Sequence, residues 1–480
     1  MTRVDTADGA LDGTWEGTVA VFRGLPFAAP PVGALRWRPP APVTPWAGVR
    51  PAAEFAPAPL QPSPPRDSIM WHTNFADRQA LVMSEDCLYL NVWTPSPGPA
   101  AALPVMVWIH GGGNRYGYGS QNIHNGAALA RRGVVVVTLN HRLGSLGFLA
   151  HPDLAAEDEH GASGNYGLLD IVAVLQWVRR SIAAFGGDPD RVTVAGNSAG
   201  AAHITHLMAA PECRGLFRAA IGQSAAGIFR AEGPAPTQEA AQQQGATLFK
   251  GRSIESLRRV SGVELVLTGH FGPIVDGRLL TRDSQDVFLA GEQAPVPLLV
   301  GANADEGANY TRPGDESRLP AGSAEYPPGA ARLFVGESRF NFPVWRWAVT
   351  HATSPTTTRT GVPTWLYRFE HEPPLPTGLD LAAPPDGRPG YGVYHTAELP
   401  YTADNLAMRD WPWTDVDHDL AAAMGDAWAA FVTDLDPGPH WPAFDGTDDG
   451  AVLVFGKDIH VSRPRRLAAM HLLDQLPRPL

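Results

Sequence analysis

Short apolar runs that stop at glycine recur along this chain, and few architectures can accommodate them. LPVMVWI (Leu103–Ile109) runs into His110-Gly111-Gly112-Gly113, and GVVVVTL at 133–139 follows a helical stretch, NGAALARR. RVTVA at 191–195 meets Gly196, AAI at 219–221 meets Gly222, PLLV at 297–300 meets Gly301, and TWLYRF (Thr364–Phe369) follows. Short β-branched runs with glycine at their ends read as buried parallel strands. Helical periodicity lies between them. Leu168, Val172, Leu175, Val178 and Ile182 share one helix face, and so do Leu420, Met424, Trp428, Phe431 and Leu435. Strand and helix alternate, which predicts an α/β fold with a mostly parallel central sheet flanked by helices.

Three stretches, 57–68, 311–329 and 372–392, are dense in Pro, Gly and small residues and read as elaborated loops. Residues 231–262 are helix-like but polar. No repeat or clean linker interrupts the chain, so residues 1–480 read as one domain. The net charge of −12, with no Lys/Arg run, opposes nucleic-acid binding, which phosphate attraction dominates. Apolar runs such as 134–137 are far shorter than the ~20 residues a membrane helix needs, so no membrane partner is expected. The opening MTRVDTADGALDGTWEGTVAVF carries acidic residues and no apolar segment of the secretory kind. With only Cys87 and Cys213, a disulfide framework is excluded, and a cytoplasmic location is the simpler expectation.

Gly196-Asn197-Ser198-Ala199-Gly200 is a G-x-S-x-G string between a strand and the helix-like AAHITHLMAA. In a glycine-rich chain the string alone arises readily by chance. Its strand–turn–helix setting, the arrangement of α/β-hydrolases, makes Ser198 a candidate nucleophile. A sharp turn there needs neighbours without bulk, which Gly196, Ala199, Gly200 and Ala201 supply. The following helix start offers N–H groups to a developing oxyanion. His110-Gly111-Gly112-Gly113, taken alone, is a glycine-rich turn. Paired with the serine turn it reads as the other half of an oxyanion hole.

A serine needs a base held by a carboxylate. In α/β-hydrolases both follow the serine, acid first. Glu306 lies just past the strand PLLV, and His395 past TWLYRF and its loop; by spacing alone Asp276 and Asp305 remain rivals for the acid, and His270, His351 and His418 for the base. His203 and His206 stand one turn apart after Ser198. They read as packing or surface histidines rather than a metal pair, since no H-E-x-x-H string occurs. No metal and no cofactor is expected.

These residues resemble the type-B carboxylesterase family, which includes the cholinesterases and bacterial carboxylesterases. The likeness is carried by FRGLPFA at 22–28 with PPVG at 30–33, SEDCLYLNV at 84–92, GNYGLLD at 164–170, FGGDP at 185–189, the serine turn, and Trp441-Pro442. It implies an α/β-hydrolase fold and a serine carboxylesterase acting on a small-molecule ester. It implies Ser198, Glu306 and His395 as triad and the amides of Gly112, Gly113 and Ala199 as oxyanion hole. It also implies Glu398 as partner of the base motif and Ser224 as a serine supporting the acid. The same triad serves carbamate or activated-amide hydrolysis. Some relatives are non-catalytic binding proteins, but here every triad position is filled.

Four departures matter. Asn197 stands where the family usually has Glu. Asn114, followed by Arg115, replaces an aromatic residue. Leu60 lies near the expected place of the cysteine that pairs with the one at Cys87, which leaves Cys87 a buried free thiol. Residues 231–361 match in patches, and the resemblance implies that this variable region shapes the pockets. Trp71 lies on the loop before Cys87, where cholinesterases carry a tryptophan that holds a quaternary ammonium, but its distance from Cys87 differs. Losing a carboxylate beside Ser198 and gaining Arg115 both disfavour cations. Small to medium neutral esters are therefore expected to outperform choline esters, and anionic esters to be tolerated better than by a Glu-bearing relative. The check is kcat/KM for an acylcholine against an isosteric neutral ester. A preference for the choline ester sinks the argument, and N197E should move the ratio toward the cation.

Overall fold

Seven of the glycine-terminated and neighbouring runs pair in parallel at the centre of one sheet. The computed structural model describes residues 2–75, 81–384 and 386–476. Among them, Leu103–Ile109 lies between Val135–Leu139 and Gly187–Asn197, with Val107 opposite both Val137 and Val194. Ala219–Gln223, Leu298–Asn303, Thr364–Phe369 and Val452–Phe455 extend the parallel array. Val135–Leu139, Ala219–Gln223 and Leu298–Asn303 are buried at every residue, as their unbroken apolar composition requires.

Antiparallel strands finish both edges. Tyr89–Thr94, Val19–Pro26, Gly9–Glu16 and Thr2–Thr6 follow Val135–Leu139 on one side, and Ile459–Ser462 closes the other. With Val49–Pro51 the described sheet has 13 strands.

Because side chains alternate across a strand, the sheet divides the apolar residues into two cores. Val105, Val107 and Ile109 enter one, together with the helix Tyr166–Ser181. Met106 and Trp108 enter the other, with Leu420, Met424, Trp428 and Phe431 of the helix Asp415–Asp434. That helix starts at a capping box between Thr414 and Asp417. It ends at Leu435, which turns left-handed rather than continuing the apolar face. Similarly, the face read from Leu168 to Ile182 passes at Ile182 into a 3-10 turn, Ile182–Phe185. Residues 231–361 carry helices Gln238–Leu248, Phe342–Ala352 and several shorter ones, with a π-helical turn at Glu337–Asn341. No helix among the described residues is long and apolar enough to cross a membrane.

Cys87 and Cys213 are both buried and free. Burial pushes the Cys213 thiol up to about 12 and Cys87 further. Leu60 lines a small cleft together with Cys87.

Behind the turn after Ile109 lies a file of buried histidines. His110 and His141 stack at 4.6 Å, and His203 meets His141 edge-on at 5.3 Å. His206 pairs through Nδ1 with Ser284 Oγ at 2.8 Å. So His203 and His206 are buried residues of the helix Ala199–Ala209, and both border a cavity. Burial is the main force holding His110, His141 and His206 down at about 3, and it lowers His203 as well. An unfolded chain takes up these protons near ~6.5. The native state declines them, so stability is full above that value and is lost as pH falls toward 3. Calorimetry at constant ionic strength should show Tm falling from pH 6.5 to 5, and H141F should take up about one proton fewer on unfolding in that window. A Tm that does not move there contradicts the account.

Candidate active site

Ser198 sits between the strand Gly187–Asn197 and the helix Ala199–Ala209 at φ +55°, ψ −124°, a conformation an L-residue adopts only when its surroundings enforce it. Those surroundings are backbone pressed on backbone. A Cβ on Gly196 would lie 2.8 Å from Ile109 O, and one on Gly200 would collide with the same carbonyl. The glycines of the G-x-S-x-G string therefore let helix and strand close over Leu103–Ile109, and the serine takes up the strained corner.

Beyond Ile109 the chain turns at Gly112 (φ +117°) and Gly113 (φ +62°). The amides of Gly112, Gly113 and Ala199 have no acceptor among the described residues. Ala199 owes this to its place at the first position of a helix, whose opening N–H groups lack intrahelical partners.

Glu306 opens a 3-10 turn directly after the strand Leu298–Asn303 and is fully buried. Its Oε1 accepts the Asn303 N–H at 2.8 Å, and its Oε2 meets His395 Nδ1 at 2.5 Å. His395 Nε2 is buried without a partner, and the ring lines one small cavity with Ser198. The loop bearing His395 is tied to the loop bearing Glu306. Asp305 N–H donates to Val393 O at 3.0 Å, and Val393 N–H returns a bond to Asp305 Oδ2 at 3.2 Å. Asp305 thus holds the base loop and is not the partner of the imidazole. Asp276 accepts the N–H groups of Arg278 and Leu280 in a turn of its own. His351 bonds Val296 O at 2.9 Å, His418 lies on the helix Asp415–Asp434, and His270 is exposed at a cavity wall.

Glu398 lies beneath this pair and is also fully buried. Asn303 Nδ2 donates to it at 2.5 Å, Asn197 Nδ2 at 3.0 Å, Gln223 Nε2 at 3.2 Å and Ser224 Oγ at 3.4 Å. Ser224 therefore serves Glu398, and the expectation that it supports the acid Glu306 is corrected. The acid's second oxygen is already taken by a backbone amide. Burial, and then the charge of Glu306, raises Glu398 above the usual carboxylate range, and the Asn303 hydrogen bond opposes the rise. Asn197 is therefore part of the cradle of a buried carboxylate rather than only a lost charge beside Ser198.

Several neighbours have no signature in the sequence. The rings of Tyr310 and Phe340 flank His395 at 5.2 and 4.6 Å. Tyr310 lines the same small cavity as Ser198. Phe340 and Arg339 arrive on the π-helical turn, and such turns leave no periodic signature. Asn303 ends a strand that was legible, and its position beside Glu306 was the available signal.

A larger cavity of ≈ 520 Å³ borders Gly113 and Ala199. Trp71 is buried among Phe75 and Tyr118, and the Arg66 guanidinium lies 5.4 Å from its ring centre. No cluster of three or more His, Cys, Asp or Glu suited to a metal occurs among the described residues.

A parallel sheet that delivers a serine turn and, further along, a Glu–His pair to one end defines an α/β-hydrolase. The chain belongs to the carboxylesterase family, whose profile matches residues 1–325 and 323–471. It is 38% identical to the fumonisin B1 esterase of Sphingopyxis macrogoltabida, over 95% of this chain and 86% of that protein. It is 34% identical to the para-nitrobenzyl esterase of Bacillus subtilis (strain 168), over 92% of each. A solved PNB esterase superposes with a TM-score of 0.80 at 30% identity, covering 98% of this chain and 99% of that one. The protein is a carboxylic-ester hydrolase.

E306Q keeps the shape and removes the charge opposite the imidazole. It should lower kcat by about 10³–10⁴-fold with the far-UV spectrum unchanged. Full activity in E306Q would return the acid role to Asp305 or Asp276.

Proposed function

We propose that this chain hydrolyses small to medium carboxylic esters through an acyl-enzyme on Ser198, as a single catalytic domain. Ser198 Oγ attacks the ester carbonyl while His395 Nε2 takes its proton. Glu306, bonded to Nδ1, fixes the ring and stabilises the imidazolium. The Gly112, Gly113 and Ala199 amides receive the oxyanion. His395 then protonates the leaving alcohol, and water repeats the sequence on the acyl-enzyme, so atoms balance without a cofactor.

The observation that carries this reading is the 2.5 Å contact of Glu306 with His395 Nδ1, beside an Nε2 that has no protein partner in the cavity of Ser198. Binding of a quaternary ammonium is disfavoured, because Arg66 already covers the Trp71 ring and Asn197 is neutral. The two free thiols accord with a reducing, cytoplasmic location.

The decisive measurement is pre-steady-state release of 4-nitrophenol from a 4-nitrophenyl ester. Wild type should give a burst of one equivalent, and mass spectrometry should place the acyl group on Ser198. S198A should lose turnover by several orders of magnitude while remaining folded. A variant retaining more than a small share of the rate rules out Ser198 as nucleophile.

A further inference from the structure

The two cavities at the serine turn differ in what they offer. The leaving alcohol must receive its proton from His395, so it occupies the small cavity that His395 lines with Ser198. The acyl group is left the ≈ 520 Å³ cavity bordered by Gly113 and Ala199, a volume in the range of small-molecule sites. Arg230 and Arg339 both line it, and the one acidic residue among its walls is Glu232. Glu232 is shared, at 3.1 Å from Arg339 Nη2 and 4.0 Å from Arg230 Nε. The two arginine side chains stay about a third exposed, at 34% and 31%, so their donors remain open to a ligand.

Arg339 is held over the rings of Tyr310 and Phe340, at 5.4 and 6.0 Å, beside the catalytic imidazole. Arg115, next to the cavity wall residue Asn114, has no carboxylate partner among the described residues, and its Nε is buried and unbonded. His270, also in the wall, is kept below its usual range first by partial burial and then by Arg115, Arg339 and Arg230, while Glu232 opposes the shift. Two guanidiniums against one carboxylate leave one positive charge uncompensated at the cavity wall.

We propose that the acyl group this site accepts carries an ionised carboxylate, so that the preferred substrates are half-esters of di- or polycarboxylic acids. The proposal rests on the acyl-enzyme reading above and replaces the expectation of neutral esters. A planar guanidinium fork matches a carboxylate, and such charge-assisted pairs gain strength in a partly enclosed site.

The test compares two esters with one leaving group and one shape, 4-nitrophenyl hydrogen adipate and the neutral 4-nitrophenyl 6-methylheptanoate. Wild type should favour the anionic ester in kcat/KM by at least about tenfold at low salt, through KM, and the preference should shrink at 0.5 M NaCl. R230Q/R339Q should bring the ratio near one, and R230K/R339K should restore part of it. E232Q, which frees both guanidiniums, should raise it. A wild-type ratio of one or less overturns the proposal, as does a ratio that neither the arginine nor the Glu232 variants move. If the neutral ester is cleaved in a Ser198-dependent way without an anionic preference, the acyl-enzyme reading stands and only this inference fails. If neither ester is cleaved, the acyl-enzyme reading itself fails.

Discussion

The site depends on one close approach, the helix Ala199–Ala209 pressed through Gly196 and Gly200 onto the carbonyl of Ile109. A serine at φ +55° is strained by an amount of order 1–3 kcal/mol and survives only where neighbouring structure over-determines it. Here that structure is the sheet centre. Gly187–Asn197 is hydrogen-bonded on both sides, by Leu103–Ile109 and Ala219–Gln223, and cannot relax away. The same contact brings the Gly112–Gly113 turn alongside Ser198, since Gly111 lies against Asn197 O and the Ser198 side chain. Ser198 and the amides of Gly112 and Gly113 are thus placed by one packing event.

The Glu306–His395 pair is built differently. Two carboxylates, Glu306 and Glu398, are buried close enough for the charge of one to raise the other. An unpaired buried carboxylate costs several kcal/mol, so each needs donors. Asn303 supplies both, its backbone N–H to Glu306 and its side-chain amide to Glu398. Asn197 adds a further donor to Glu398. A carboxylate at 197 would bring a third charge into this cradle, which explains why a neutral amide suits this particular arrangement.

How much of this was readable depended on where the information sits. Thr364–Phe369 and Leu103–Ile109 were legible to the residue because a strand largely buried on both faces is mostly apolar. The antiparallel strands were not. Gly9–Glu16 carries Gly and Asp, poor strand formers, and Val19–Pro26 shifts register between Phe22 and Leu25. Ile459–Ser462 is an exposed edge with no buried face to pattern it. Ser198 and the glycine turn are local motifs. Glu306 and His395 stand 89 residues apart and were singled out from their rivals only by family resemblance. Arg230, Arg339 and Tyr310 meet through tertiary placement alone, so no spacing could have announced them.

The reciprocal bonds between Asp305 and Val393 carry a consequence for how such a chain can vary. Arg332 reinforces them by bonding Gly390 O at 3.1 Å and Tyr391 O at 2.6 Å. The backbone on the near side of His395 is therefore anchored to the loop of Glu306, and Tyr391 OH also donates to Ala382 O in the segment that precedes it. Removing Asp305 or Arg332 would therefore loosen the loop of His395 without touching either the ring or Glu306.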